Sequence, residues 1–248
     1  MMQDFSREFE NELEIFRREI QSGTQFFYCY LAINAEISDN KKALDAVNET
    51  PLFWGTIMGA LQTASFIVLG RIFDQKSKHN IDKLIGIAQE HSEIFSRNSL
   101  GKRKQQGQSI EPERLPEYLD RTYEPTPEDF RQLRRHVKKY RKIYQRNYSD
   151  IRHKIYAHKE LSELSDASDI EELYSRTRIG ELQRIFVFLN RLYESLWELF
   201  HNGRKPVLRP MRYSAISIRE KPRPDWQSQG VHEKIIGEVI DFFRNFDL

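Results

Sequence analysis

The stretch TPEDFRQLRRHVKKYRKIYQRNYSDIRHKIYAHKE, residues 126–160, decides how the rest of the chain is read. It begins with a capping threonine, Thr126, followed by Pro127 at the first helical position and Asp129 at the third, which together mark a helix start. Phe130, Leu133, Val137, Tyr140, Tyr144, Ile151, Ile155 and His158 follow at spacings of mostly three, four or seven. This spacing predicts one long helix with a continuous apolar stripe that ends in a histidine.

The same period recurs outward from this stretch. Phe5, Phe9, Leu13, Phe16 and Ile20 predict one or two helices over 4–38, with Ser22-Gly23 as a kink point. Pro51 opens a helix over 51–74, and Asn80 caps another over 81–97. A second capping pattern, Ser168-Asp169-Ile170-Glu171, begins the next long helix, with the stripe Leu182, Phe186, Leu189, Tyr193, Leu196 and Phe200 and a stop at Gly203. Alternation over Arg212–Arg219 suggests a short strand, and Ile235, Ile236, Val239, Ile240 and Phe243 predict a final amphipathic helix.

All nine prolines fall between these segments or at their starts, and no internal repeat is present. The expected fold is all-α: a helical bundle over 1–203 with an exposed insertion at about 98–125. Residues 204–248 form a linker and helix, packed on the bundle or at a dimer interface.

With 39% hydrophobic and 31% charged residues, the composition is that of a soluble globular chain rather than a disordered one. Cys29 is the only cysteine, so no internal disulfide forms, and the N-terminal MMQDFSREFE lacks the basic-then-apolar pattern of an export signal. Both features point to the cytoplasm. Leu52 to Gly70 runs 19 residues without a charge, close to the ~20 that span a bilayer. Gln62, Thr63, Ser65 and three glycines interrupt it, and its flanks carry no basic asymmetry. A central helix buried on all sides is the expected outcome.

Charge is unevenly distributed. The formal net charge is only +2, yet residues 131–159 carry eleven Lys or Arg against the single acid Asp150. Arg134, Arg135, Lys138, Lys139, Arg141, Lys142, Arg146 and Lys159 are therefore candidate RNA-binding residues, because such cations displace counterions from phosphates. Tyr140, Tyr144, Tyr148 and Tyr156 lie among them and are either base-stacking platforms or core. The alternative is a solvated face paired with acids such as Glu8, Glu10, Glu12 and Glu14.

The chain shows no phosphate-binding glycine loop, no His-Glu-x-x-His and no Asp-rich metal loop. His153 and His158 are five positions apart, off the shared helix face that a metal pair needs, so neither a metal nor a cofactor is expected. Arg152 and His158 suffice for metal-independent RNA cleavage. In that reaction the 2′-hydroxyl attacks the adjacent phosphate, histidine moves a proton, and arginine stabilises charge on the phosphoryl oxygens. On a regular helix the two residues point about 120° apart. Either the helix distorts between them or a second subunit completes the site.

At these residues the sequence resembles the HEPN superfamily, whose nuclease members carry an arginine, four to six residues and a histidine. Arg152, five residues and His158 fit that pattern, with His153 in the polar position after the arginine. FFYCYLAINAE (26–36), PLFWGTIMGALQTASFIVLGRIFD (51–74) and IRHKIYAHKE (151–160) together look like the AbiU-type abortive-infection branch, over roughly residues 5–200. The resemblance implies a helical homodimer with motifs facing across a cleft, cutting RNA in antiphage or toxin systems. It also implies catalytic roles for Arg152 and His158, with His153 supporting.

Asp150, Lys154 and Tyr156 are further supporting candidates. Arg71 and Asp74, in the family-like GRIFD, are either auxiliary or a buried structural ion pair. An antitoxin or regulatory protein is a candidate partner. Glu160 stands where HEPN toxins silenced by a nucleotidyltransferase usually carry tyrosine, which argues against that mode of control. The competing function is a non-catalytic helical module that binds RNA or protein through the basic face.

Overall fold

The structure, a computed structural model, describes residues 5–107, 110–152, 177–208 and 230–244. Among them are nine α-helices, one short 3₁₀ turn and no strand, so the fold is all-α. The helices are α1 (Phe5–Asp39), α2 (Lys41–Glu49), α3 (Pro51–Phe73), α4 (Ile81–Glu90), α5 (Arg97–Gln106), α6 (Leu115–Asp120), α7 (Pro127–Asn147), α8 (Ile179–Asn202) and α9 (Val231–Arg244). The expected strand at 212–219 and the capping pattern at 168–171 lie outside the described residues.

The chain divides into two compact units. The first comprises Met1–Arg18, Arg71–Gln145 and Val187–Met211. Its core is aromatic: the Phe9 ring lies 5.1 Å from both Phe95 and Phe200, and Phe95 lies 5.6 Å from Phe130. Asn80 caps α4 as its side chain accepts from the Asp82 and Lys83 amides, each at 3.0 Å. The helix predicted over 81–97 ends at Glu90, because the 3₁₀ turn Ser92–Phe95 redirects the chain and buries Ile94 and Phe95.

Helical structure also occupies much of the segment expected as an exposed excursion, 98–125. It holds most of α5 and all of α6, and it buries Leu100, Gly101 and Leu115. The Arg103 guanidinium lies 4.0 Å over the Phe200 ring and donates to the carbonyls of Ile94 at 2.7 Å and Phe200 at 2.8 Å. Burial lowers its pKa to about 10, so it remains charged at neutral pH. Gly203 follows α8 at φ +60°, and a Cβ there would meet the Thr122 Cβ at 2.6 Å.

His201, near the end of α8, lies 4.7 Å from Trp197 and 5.0 Å from Phe200 by ring centroids. Burial pushes its pKa below the ordinary value, opposed by the charge of Glu10 and reinforced by Arg103 and Lys104. The unfolded chain therefore takes up this proton at a higher pH than the folded chain. His201 supports stability above its unfolded pKa of about 6.5, and that support is lost as pH falls toward its folded pKa. Urea titrations from neutral to mildly acidic pH should show falling stability, and His201→Gln should flatten the fall. An unchanged slope in the variant would contradict this assignment.

The second unit comprises Glu19–Gly70, Arg146–Phe186 and Arg212–Leu248. Helix α1 passes through Ser22-Gly23 without a break. Gly23 instead admits close packing, since a Cβ there would sit 2.8 Å from side-chain atoms of both Phe186 and Val68. The burial expected for α3 holds only for its C-terminal half, where Phe66, Val68 and Leu69 are buried. Leu52 is 87% exposed and Phe53 60%, because little of the described chain covers the first turns. By length and composition α3 could cross a membrane. Helix α9 contacts α3 through Phe243, 5.6 Å from Trp54, and α1 through His232, 5.4 Å from Tyr28.

Candidate active site

Helix α7 starts as its sequence predicts. The Thr126 amide and hydroxyl donate to the Asp129 carboxylate at 2.7 and 2.8 Å, and the Tyr123 hydroxyl adds a third bond at 2.7 Å. Burial pushes the Asp129 carboxyl up, but these donors outweigh it and hold the group below its ordinary value. Phe130, Leu133, Val137 and Tyr144 are buried along one face.

The opposite face is basic. Arg134, Arg135, Lys138, Lys139, Lys142 and Arg146 are exposed. Glu128 accepts from Arg135 at 2.5 Å, and Glu181 lies 3.7 Å from Arg146. Arg134, Lys138 and Lys142, at successive spacings of four, form one row. Of the acids that the alternative reading pairs with this face, Glu12 binds Lys83 at 2.6 Å and His79 at 3.0 Å, and Glu14 binds Arg17 and Arg18.

Arg141 departs from its expected place in the RNA-binding set. It is buried and paired with Asp82 of α4. Its position, four after Val137 and three before Tyr144, puts it on the apolar stripe, and that spacing was the available sign. Of the tyrosines among the cations, read as either base platforms or core, Tyr144 and Tyr148 are buried, Tyr140 is half-buried, and Tyr156 lies outside the described residues. Tyr144 stacks on Phe73 at 5.4 Å, Tyr140 on Phe188 at 4.1 Å, and Tyr148 on Phe66 at 5.9 Å.

The long helix read from the stripe is interrupted. Helix α7 ends at Asn147 and Tyr148 forms a turn, after which helical backbone resumes at Ser149 and widens to a π-type turn at Ile151 and Arg152. Tyr148 is fully buried and anchors the break. Its hydroxyl lies 3.2 Å from the Arg178 carbonyl, the Arg178 amide and the Glu181 carboxylate. Burial, with the nearby Glu181 charge, raises its pKa to about 12 despite the Arg178 amide, so it stays neutral. Asn147 adds a 2.6 Å bond to Glu181.

Arg152 follows one turn beyond this anchor, its amide donating to the Tyr148 carbonyl at 3.2 Å. The residue is half-buried, and its side chain crosses the backbone of α3 at Gly70. Ile151 is buried beside it and Asp150 is exposed. His153, Lys154, Tyr156, His158 and Lys159 lie outside the described residues, as does the stretch in which a distortion between Arg152 and His158 would fall.

Arg71 is exposed in the last turn of α3, and Asp74 follows the helix half-buried. Asp74 accepts from the Lys76 amide at 3.0 Å just beyond the helix. Among the described residues no three His, Cys, Asp or Glu side chains converge as metal ligands.

A helical chain with a cationic helix leading into an Arg-x5-His motif has the features of a HEPN-type domain. A sequence model of the HEPN AbiU2 family matches residues 6–216, and the chain belongs to that family of abortive-infection-related HEPN domains. No curated protein and no solved structure matches it.

Proposed function

We propose that this protein is a metal-independent endoribonuclease that acts in antiphage abortive infection or in a toxin–antitoxin system. The observation that carries the reading is the Arg152-x5-His158 motif in a chain of the HEPN AbiU2 family. Arg152 stabilises charge on the phosphoryl oxygens, and His158 moves the proton on the 2′-hydroxyl or the leaving oxygen. His153, Asp150, Lys154 and Tyr156 support them, and Arg71 and Asp74 are auxiliary. Two copies of the chain supply the motifs to one cleft.

The exposed cations of α7 bind the RNA, and Lys159 is a further RNA-binding candidate in the sequence. The partners are RNA, a second copy and a regulatory protein or antitoxin. The protein acts in the cytoplasm with α3 outside any bilayer. Recovery only with detergent would contradict that location.

Incubation of purified protein with RNA in EDTA tests the reading: cleavage is expected, and its absence, or equal cleavage by His158→Ala, would overturn it. A second reading, a non-catalytic RNA-binding module, draws on the exposed row Arg134, Lys138 and Lys142. Both readings require RNA affinity. Replacing Lys138 and Lys142 by alanine should weaken binding across sequences and reduce the slope of log K against log salt by about 1.4, at roughly 0.7 per lost single-strand phosphate contact. Fluorescence polarisation over a salt series measures it, and an unchanged slope would remove α7 from the interface.

A further inference from the structure

We propose that Gly70 is a positioning residue for Arg152: the missing side chain of Gly70 is the notch in which the arginine lies. The inference rests on the reading of Arg152 as a catalytic group. A Cβ built at Gly70 would sit 2.2 Å from the Arg152 Nε, 2.3 Å from its Cδ and 2.8 Å from its Cζ. No two such atoms can occupy those positions together, so any residue other than glycine moves the guanidinium.

The other glycines of α3 give the contrast. A Cβ at Gly55 or Gly59 would meet nothing within 4 Å. Only at Gly70 does the helix need the space. Glycine also weakens a helix interior relative to alanine, and Gly70 lies in the buried C-terminal part of α3. The backbone does not require it, since no positive φ occurs there. The requirement comes from Arg152, whose backbone is fixed through the Tyr148 carbonyl and whose side chain is directed over α3.

The group displaced by Gly70→Ala is the far end of a flexible side chain, so α3 keeps its place and the guanidinium gives way. The variant should therefore match or exceed wild-type thermal stability while losing cleavage. Displacing a catalytic group by about 1 Å costs on the order of 100-fold. The loss should appear in kcat, with KM little changed because RNA is held by α7. In an Arg152→Ala background, Gly70→Ala should have no further effect on the residual rate, as expected of a residue that acts only through the arginine.

The Arg152 Nε–H resonance of ¹⁵N-labelled protein, assigned by its disappearance in Arg152→Ala, should shift in Gly70→Ala. The proposal is overturned if Gly70→Ala cuts with wild-type kcat while Arg152→Ala does not. A further loss on the Arg152→Ala background would also overturn it, as would an unmoved Nε–H resonance. If wild-type protein does not cut RNA, the nuclease reading fails, and the resonance alone decides whether Gly70 seats Arg152.

Discussion

Replacing Arg152 by alanine should slow RNA cleavage by about 100- to 1,000-fold, the usual cost of removing one group aimed at the charge that develops in a transition state. His158→Ala should cost about 100- to 10,000-fold, the range for a positioned proton donor or acceptor. Arg152→Lys should recover only part of the rate. A lysine ammonium is a compact point charge and does not reproduce a planar guanidinium directed over Gly70. Single-turnover cleavage assays separate these losses from RNA binding, which α7 should retain in all three variants. Wild-type cleavage by Arg152→Ala would remove this residue from the chemistry.

Tyr148→Ala should destabilise the second unit by about 3–5 kcal/mol, the cost of removing a large buried aromatic. The ring is fully buried against Phe66, and its loss leaves a cavity where the chain turns from α7 toward Arg152. Tyr148→Phe isolates the polar part. It keeps the ring but removes the hydroxyl from the Arg178 amide, the Arg178 carbonyl and Glu181, and it should cost about 1–3 kcal/mol for buried groups left unmatched. Urea denaturation measures both, and a Tyr148→Phe variant as stable as wild type would show that the hydroxyl does not hold this turn.

Tyr148 also shows where sequence periodicity stops being informative. It lies four residues after Tyr144, yet the stripe passes from Tyr144 to Ile151, and Tyr148 reads in sequence as either platform or core. Its role as a helix break is not legible there, because the partners that hold the turn, Arg178 and Glu181, are about thirty residues away. Arg141 is a similar case: its spacing places it on the stripe, but its partner Asp82 is 59 positions earlier and no local pattern reveals that partner. What local chemistry controls was legible: the caps at Asn80 and Thr126, the start of α7, the stop at Gly203 and the extent of α1 and α3.

Helix α3 marks the other limit. Its composition says that it is apolar, but which half is covered depends on elements elsewhere in the chain. Gly70 reads in sequence as an interruption of an apolar run. The reason for it lies in Arg152, on a different segment, and appears only when both are placed.

The chemistry of the cut ends tests the central claim most directly. Purified protein should cleave RNA in EDTA and leave a 2′,3′-cyclic phosphate on one product and a 5′-hydroxyl on the other, because the proposed nucleophile is the 2′-hydroxyl and not water. Products with a 3′-hydroxyl and a 5′-phosphate, or cleavage that appears only when a divalent metal is added, would contradict it.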